Sequence, residues 1–175
     1  MSIAMLTVYP LQKSSPMTDT DLKLHSDPFE ATLGAGDQTD TITLQSFQGK
    51  PVVVYFYPRD NTPGCSQQGE DFRDHHDAFK AHGAQIIGVS RDTLKSHQKF
   101  TEKYGFTFPL IADPDEVLCN QFGVMKDKNM YGKKVRGIER STFLFDAQGQ
   151  LVASWRKVKI PGHVEDVLAA VKALG

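Results

Sequence analysis

The sequence has few cysteines, no long apolar run and no excess of charge of one sign. Only Cys65 and Cys119 occur among 175 residues, too few for a disulfide framework and typical of a reducing compartment in which thiols stay free. No stretch approaches the roughly 18 consecutive apolar residues of a membrane span. The formal net charge of -1 creates no overall attraction to nucleic acid or to an anionic membrane. We therefore expect a cytoplasmic protein with no nucleic-acid and no membrane partner.

Length and composition indicate one domain preceded by an extension. A chain of 175 residues with 39% hydrophobic residues is ordinary for a protein that builds a single core. The first ten residues carry no Lys or Arg, so a signal peptide is not expected. The following residues are polar and without a clear period. We expect residues 1–25 to form an N-terminal extension and residues 26–175 to form the domain.

Strand and helix patterns alternate through the first half of the domain. Residues 52–57 are a run of β-branched and aromatic side chains, apolar on both faces as a central parallel strand requires. Helical spacing follows at Phe72 and Phe79, and residues 86–89 form a second apolar strand pattern. This order predicts a βαβ unit of an α/β fold, with helices covering the sheet.

Antiparallel pairs are expected on both sides of this unit. Residues 29–33 and 41–44 alternate apolar and polar side chains, and residues 141–145 and 151–155 flank a turn that ends in Gly149. Both patterns indicate hairpins. The last predicted element is a helix with an apolar stripe formed by Val164, Val167, Leu168, Val171 and Leu174. The whole pattern predicts a mixed β-sheet flanked by helices.

Cys65 follows the first buried strand in a segment that predicts the start of a helix. Thr62 suits the N-cap, Pro63 the first helical position, and Cys65 then lies in the first turn. Unpaired N–H groups and the positive end of the helix dipole favour the nucleophilic thiolate there. Free cysteine is also among the most often buried residue types, so position alone leaves an inert structural cysteine open.

The surroundings of Cys65 resemble a known family. Pro58, Thr62 and Cys65 match the Pro-x-x-x-Thr-x-x-Cys motif of peroxiredoxins. The flanking residues, together with 137–143, are similar to the bacterioferritin comigratory protein (peroxiredoxin Q) branch, and the similarity runs from about residue 27 to the C-terminus. The resemblance implies a thioredoxin-like fold and a thiol-dependent antioxidant peroxidase that reduces hydrogen peroxide and organic hydroperoxides.

The resemblance also assigns roles to single residues. It makes Cys65 the peroxidatic nucleophile, Thr62 a hydrogen-bond partner of peroxide and sulfur, Pro58 a shield of the thiolate, and Arg140 the active-site arginine. Without it, Arg140 would be read as an exposed charge on an edge strand. The implied partners are a peroxide and a thiol reductant such as thioredoxin, glutaredoxin or glutathione. No cofactor and no metal are implied, and the chain is expected to be a monomer or weak homodimer.

One position departs from the pattern of the branch. Many members have a resolving cysteine five residues after the peroxidatic one, where this chain has Glu70, and residues 93–104 contain no cysteine either. Cys119 lies in a predicted helix opened by residues 113–116, beside apolar Leu118 and Phe122. We therefore expect Cys119 to be structural and the mechanism to use one cysteine and an external thiol, with a resolving role for Cys119 still open.

The sequence leaves two alternative functions open. A thiol–disulfide oxidoreductase commonly uses Cys-x-x-Cys, but Gln68 stands where the second thiol would be. A binding module or redox sensor can keep a fold after turnover is lost. The basic residues between 126 and 136 are interpreted as a solvated loop.

Overall fold

The fold is organised around an eight-stranded mixed sheet. The computed structural model describes residues 6–8, 22–34 and 37–175. Its strands are β1 (Leu6–Val8), β2 (Phe29–Thr32), β3 (Thr39–Ile42), β4 (Val52–Phe56), β5 (Gln85–Ser90), β6 (Leu110–Ala112), β7 (Met125–Met130), β8 (Lys133–Ile138), β9 (Ser141–Phe145) and β10 (Leu151–Trp155). Its helices are α1 (Pro63–Asp74), α2 (His76–Ala81), α3 (Leu94–Tyr104), α4 (Val117–Gln121) and α5 (His163–Lys172), with a 3-10 helix at Leu44–Phe47.

The sheet confirms the predicted mixed α/β architecture. Its strand order is β1-β10-β9-β4-β5-β6-β2-β3. The central strands β4, β5 and β6 are parallel, whereas β9 and β10 on one side and β2 and β3 on the other are antiparallel. Both predicted hairpins are present. β1 lies within the segment predicted as an extension, where it pairs with β10.

The core has two halves, one on each face of the sheet, which we call the front and back cores. Successive side chains of β4 point to opposite faces of the sheet and therefore belong to different cores. Val53 and Tyr55 belong to the front core, and Val52, Val54 and Phe56 belong to the back core. The front core also receives apolar residues of α1, α3 and α5, whereas α4 packs into the back core. The five residues of β4 are all buried, as its continuous apolar run predicts.

Two predicted segments differ in detail. The helical pattern through Phe72 and Phe79 is divided at His75, where the backbone has φ -98° and ψ 2°. The prediction of a solvated loop between residues 126 and 136 was wrong, because β7 and β8 pair there as an antiparallel hairpin. The hairpin is exposed along almost all its length, so neither face carries the apolar alternation that reveals a strand. No helix in the described ranges is long and apolar enough to cross a membrane.

Candidate active site

The candidate nucleophile lies where β4 leads into α1. Thr62 is the N-cap, with extended φ -99° and ψ 157°, and Pro63 is the first helical residue, as predicted. The Thr62 hydroxyl does not cap the helix, contrary to the usual role of such a residue. It donates instead to the Arg59 carbonyl over 3.1 Å. The N–H groups of the first turn, where Cys65 lies, therefore have no capping side chain and face the site with partial positive charge.

Arg140 is brought to Cys65 by the pairing of β4 with β9. Phe56 at the end of β4 pairs with Ser141 at the start of β9, which sets the preceding Arg140 beside the start of α1. Its Nη2 atom lies 3.4 Å from the Cys65 sulfur. A guanidinium at this distance stabilises negative charge that develops next to the sulfur during a reaction.

Close packing at Gly64 permits this approach. A Cβ atom added at Gly64 would lie 3.3 Å from Nη2 of Arg140 and 3.0 Å from the Ile160 side chain. Any larger residue would have to displace one of them. Gly64 therefore allows the guanidinium to reach the first turn of α1.

The thiol is itself buried in the front core. Cys65 is 2% exposed and belongs to the same core as Tyr55. Burial raises the pKa of the Tyr55 phenol well above its usual value, and the nearby Cys65 and Asp60 add to the effect. Tyr55 thus stays a neutral neighbour of the sulfur. Pro58 lines the same groove as Arg140, so the predicted residues Pro58, Cys65 and Arg140 come together in one region.

Gln68 is a site residue that the sequence analysis missed. It is fully buried one turn after Cys65, and its Oε1 atom accepts a hydrogen bond of 2.6 Å from Nη1 of Arg140. The guanidinium therefore contacts sulfur through one nitrogen and an amide oxygen through another. The i, i+3 spacing of Cys65 and Gln68 on a predicted helix is the signal that would have found it.

A second missed feature is a buried polar cluster behind the loop that leads to α1. Asp60 accepts hydrogen bonds from the Tyr57 hydroxyl at 2.6 Å and from the Ser96 hydroxyl at 2.8 Å. His97 Nδ1 lies 2.7 Å from the same carboxylate, and His97 Nε2 lies 2.9 Å from the Ile111 carbonyl oxygen. Both ring nitrogens of His97 therefore lie within hydrogen-bond distance of oxygen atoms, which fixes the orientation of the imidazole. Burial and then Asp60 raise the pKa of Tyr57 well above its usual value, which keeps Tyr57 a donor.

Helix α3 also holds the outer side of this loop. Lys103 Nζ and the Tyr104 hydroxyl donate to Oδ1 of Asn61 over 3.1 and 3.3 Å. Asn61 adopts a left-handed backbone with φ 57°, a conformation that Asn tolerates better than most residues. The bend at Asn61 turns the chain from the buried Asp60 to the helix cap at Thr62.

The second cysteine lies on the other side of the sheet. Cys119 is in α4 and is fully buried in the back core, which is more complete burial than its apolar neighbours suggest. The Asp113 carboxylate accepts hydrogen bonds of 2.8 Å from the backbone N–H groups of Val117 and Cys119. Burial raises the pKa of the Cys119 thiol far above its ordinary value, and the charge of Asp113 adds to it. An uncharged thiol is a poor nucleophile.

Comparisons with known proteins agree with this geometry. The AhpC/TSA family model matches residues 23–154. The chain belongs to the AhpC/TSA family. It is 53% identical over 157 residues to a peroxiredoxin Bcp of Xanthomonas campestris, covering 90% of this chain and 98% of that protein. It is 47% identical over 137 residues to a peroxiredoxin Bcp of Bacillus subtilis, covering 78% of this chain and 87% of that protein.

Solved structures lead to the same family. A structure of the Xanthomonas campestris bacterioferritin comigratory protein, a protein with alkyl peroxide reduction activity, has a TM-score of 0.80 and 48% identity, covering 88% of this chain and 98% of that one. A peroxiredoxin Q structure from the same organism has a TM-score of 0.80 and 49% identity, covering 89% and 98%. The chain is therefore a peroxiredoxin of this branch, a thiol peroxidase with a thioredoxin-like fold. The alternatives of a thiol–disulfide oxidoreductase and a module without turnover are set aside.

Proposed function

We propose that Cys65 is the peroxidatic nucleophile of this peroxiredoxin and reduces hydrogen peroxide and organic hydroperoxides. The Cys65 thiolate attacks the terminal oxygen of the hydroperoxide, so an S–O bond forms and the O–O bond breaks. The sulfur is oxidised to a sulfenic acid, and the departing oxygen leaves as hydroxide or alkoxide and takes a proton from solvent. The observation that carries this proposal is the 3.4 Å contact between Arg140 and the Cys65 sulfur.

Arg140, Thr62 and Pro58 support the same step. Arg140 offers a fixed positive charge where negative charge develops on the departing oxygen, and preorganised charge of this kind stabilises a transition state strongly. The Thr62 hydroxyl turns from its bond with the Arg59 carbonyl to the bound peroxide. Pro58, on the wall of the groove beside Arg140, covers the thiolate and limits the access of water.

The reaction is completed by an external thiol. Cys65 and Cys119 belong to the front and back cores, whereas a disulfide needs Cα atoms within about 7 Å of each other. A first reductant thiol therefore attacks the sulfenic acid and releases water as a mixed disulfide forms. A second thiol then restores Cys65 and leaves as the oxidised disulfide. Thioredoxin, glutaredoxin or glutathione in the cytoplasm would supply these thiols.

A pair of cysteine variants tests this proposal. Cys65→Ser should abolish peroxide consumption, because a serine hydroxyl is far less acidic than a thiol. Cys119→Ser is the matched control and should keep most of the activity in the presence of excess small thiol. Stopped-flow loss of peroxide measures both. Substantial turnover by Cys65→Ser, with folding confirmed by circular dichroism, would contradict the assignment.

A further inference from the structure

A groove beside the candidate active site carries a net positive charge. It has a volume of about 710 Å³ and opens on Arg140. Pro58 lines it on the side of the Cys65 loop, and three exposed lysines line it elsewhere, Lys126 and Lys128 from β7 and Lys157 from the segment after β10. Arg140, whose guanidinium contacts the Cys65 sulfur, is thus one of the residues that line the groove.

The lysines of the hairpin are not neutralised by their neighbours. In the register of β7 and β8, Lys126 is opposite Gly137 and Lys128 is opposite Val135. Asp127, which also lines the groove, is opposite Arg136, and directly opposed side chains share a face of a sheet. The Arg136 guanidinium itself pairs with Glu116 and contacts Asn120, so the charge of Asp127 counts in full towards the groove. Among the residues that the structure describes, none of the three groove lysines is in an ion pair.

The charges of the groove sum to a positive value on a chain that is slightly negative. The cations Arg140, Lys126, Lys128 and Lys157 share the lining with two carboxylates, those of Asp127 and Glu139. The local sum of four positive and two negative charges is +2, whereas the whole chain has a formal net charge of -1. A cleft with a net charge of one sign raises the local concentration of oppositely charged reactants.

The backbone at Lys157 is a second, independent observation. Lys157 has φ 51°, a left-handed conformation that is unfavourable for an ordinary residue and persists where the surroundings impose it. The next residue fixes this segment to the site, because the N–H of Val158 donates to the Arg140 carbonyl over 3.0 Å. The strained turn therefore holds the Lys157 side chain at the groove that Arg140 opens on.

We propose that this groove binds the carboxylate of a small reactant whose other end reaches Cys65. This inference about the groove rests on the proposed peroxidase reaction of Cys65 and specifies a class of reactant for that reaction. A carboxylate fits a groove with three unpaired ammonium groups and one guanidinium, since each donates charge-assisted hydrogen bonds. The carboxylate belongs either to an organic hydroperoxide or to the thiol that reduces the sulfenic acid, and these two sources can be separated kinetically.

Alkylation of Cys65 tests the groove without any peroxidase activity. Iodoacetate and iodoacetamide react with a thiolate in the same way and differ by one carboxylate. In Lys126→Gln/Lys128→Gln, alkylation of Cys65 by iodoacetate should slow about threefold relative to iodoacetamide, given roughly 0.2–1 kcal/mol for each exposed charge pair. Lys133→Gln/Lys134→Gln, on β8 of the same hairpin, is the charge-matched control and should leave the ratio unchanged. Equal ratios in all three proteins would overturn the proposal.

Two single-turnover arms then identify the source of the carboxylate. The first compares a hydroperoxy acid with its methyl ester as oxidant of Cys65, and the second compares 3-mercaptopropionate with 2-mercaptoethanol as reductant of the sulfenic acid. A selective loss of about threefold for the acid over its ester, or for the anionic over the neutral thiol, supports the groove and names its reactant. Equal losses for charged and neutral reagents in both arms would overturn it. Failure of every hydroperoxide to oxidise the wild-type protein would instead refute the peroxidase proposal, while the alkylation ratio would still report on the groove.

Discussion

Replacement of Asp60 by Asn should destabilise the protein by removing a hydrogen-bond acceptor at the centre of the buried polar cluster. The Asp60 side chain is 3% exposed and that of His97 is 0% exposed, so solvent cannot replace the lost interaction. Each buried polar group left without its hydrogen-bond partner typically costs about 1–3 kcal/mol. The introduced amide would keep one oxygen to accept from Tyr57 but would turn its NH2 group towards Ser96 and His97, so we expect a loss of about 3 kcal/mol. With a urea dependence of about 2 kcal/mol per molar, this moves the unfolding midpoint by about 1.5 M.

Urea unfolding followed by circular dichroism measures the change. Asp77→Asn is the matched control, because Asp77 is an exposed carboxylate in the first turn of α2 and surface changes of this kind usually stay within about 0.5 kcal/mol. Asp60 also precedes the cap of α1, so Asp60→Asn should slow oxidation of Cys65 in single-turnover experiments. A midpoint shift equal to that of Asp77→Asn would refute the account of a buried polar cluster.

Three further predictions concern single residues. Arg140→Met should slow oxidation of Cys65 by about 10²–10³-fold, as loss of a preorganised donor does. An unchanged rate of Cys65 oxidation in stopped-flow measurements would show that Arg140 has no role in this step. Gly69→Ala should lower stability by about 1–3 kcal/mol, because its Cβ would overlap the Phe106 ring; equal or higher thermal stability would contradict the packing. Burial and then Arg140 lower the pKa of His163 to about 4, so the unfolded chain takes up this proton first and stability should fall as the pH drops from about 6.5 towards 4. His163→Gln should remove part of that fall, and an unchanged pH dependence of the unfolding midpoint would count against it.

The strands and the start of α1 were predictable because their signals are local. The apolar run at β4 has both faces buried, so its composition alone identifies a central strand. Pro63 and Thr62 likewise define the start of α1 within a few residues. The hairpin of β7 and β8 was missed because it is exposed on both faces, which leaves its polar sequence without the period-2 pattern that burial imposes.

The contacts of the site were harder to predict because they join distant parts of the chain. Arg140 lies 75 positions from Cys65, and the resemblance to a family, not any local pattern, singled it out. Asp60 and His97 are 37 positions apart, and neither has a sequence signal that separates a buried partner from a solvated charge. Their pairing depends on the packing of α3 against the loop before α1, which only tertiary structure determines.

The fate of the two cysteines after one equivalent of peroxide tests the one-cysteine mechanism most directly. The reduced protein is treated without reductant, trapped with a sulfenic-acid reagent, and mapped by mass spectrometry under non-reducing conditions. Because Cys119 is buried on the other face of the sheet, we predict a sulfenic-acid reagent adduct on Cys65, an unmodified Cys119, and further oxidation of Cys65 when excess peroxide is added without the reagent. A dominant disulfide between Cys65 and Cys119 would contradict the mechanism and make this peroxiredoxin a two-cysteine enzyme.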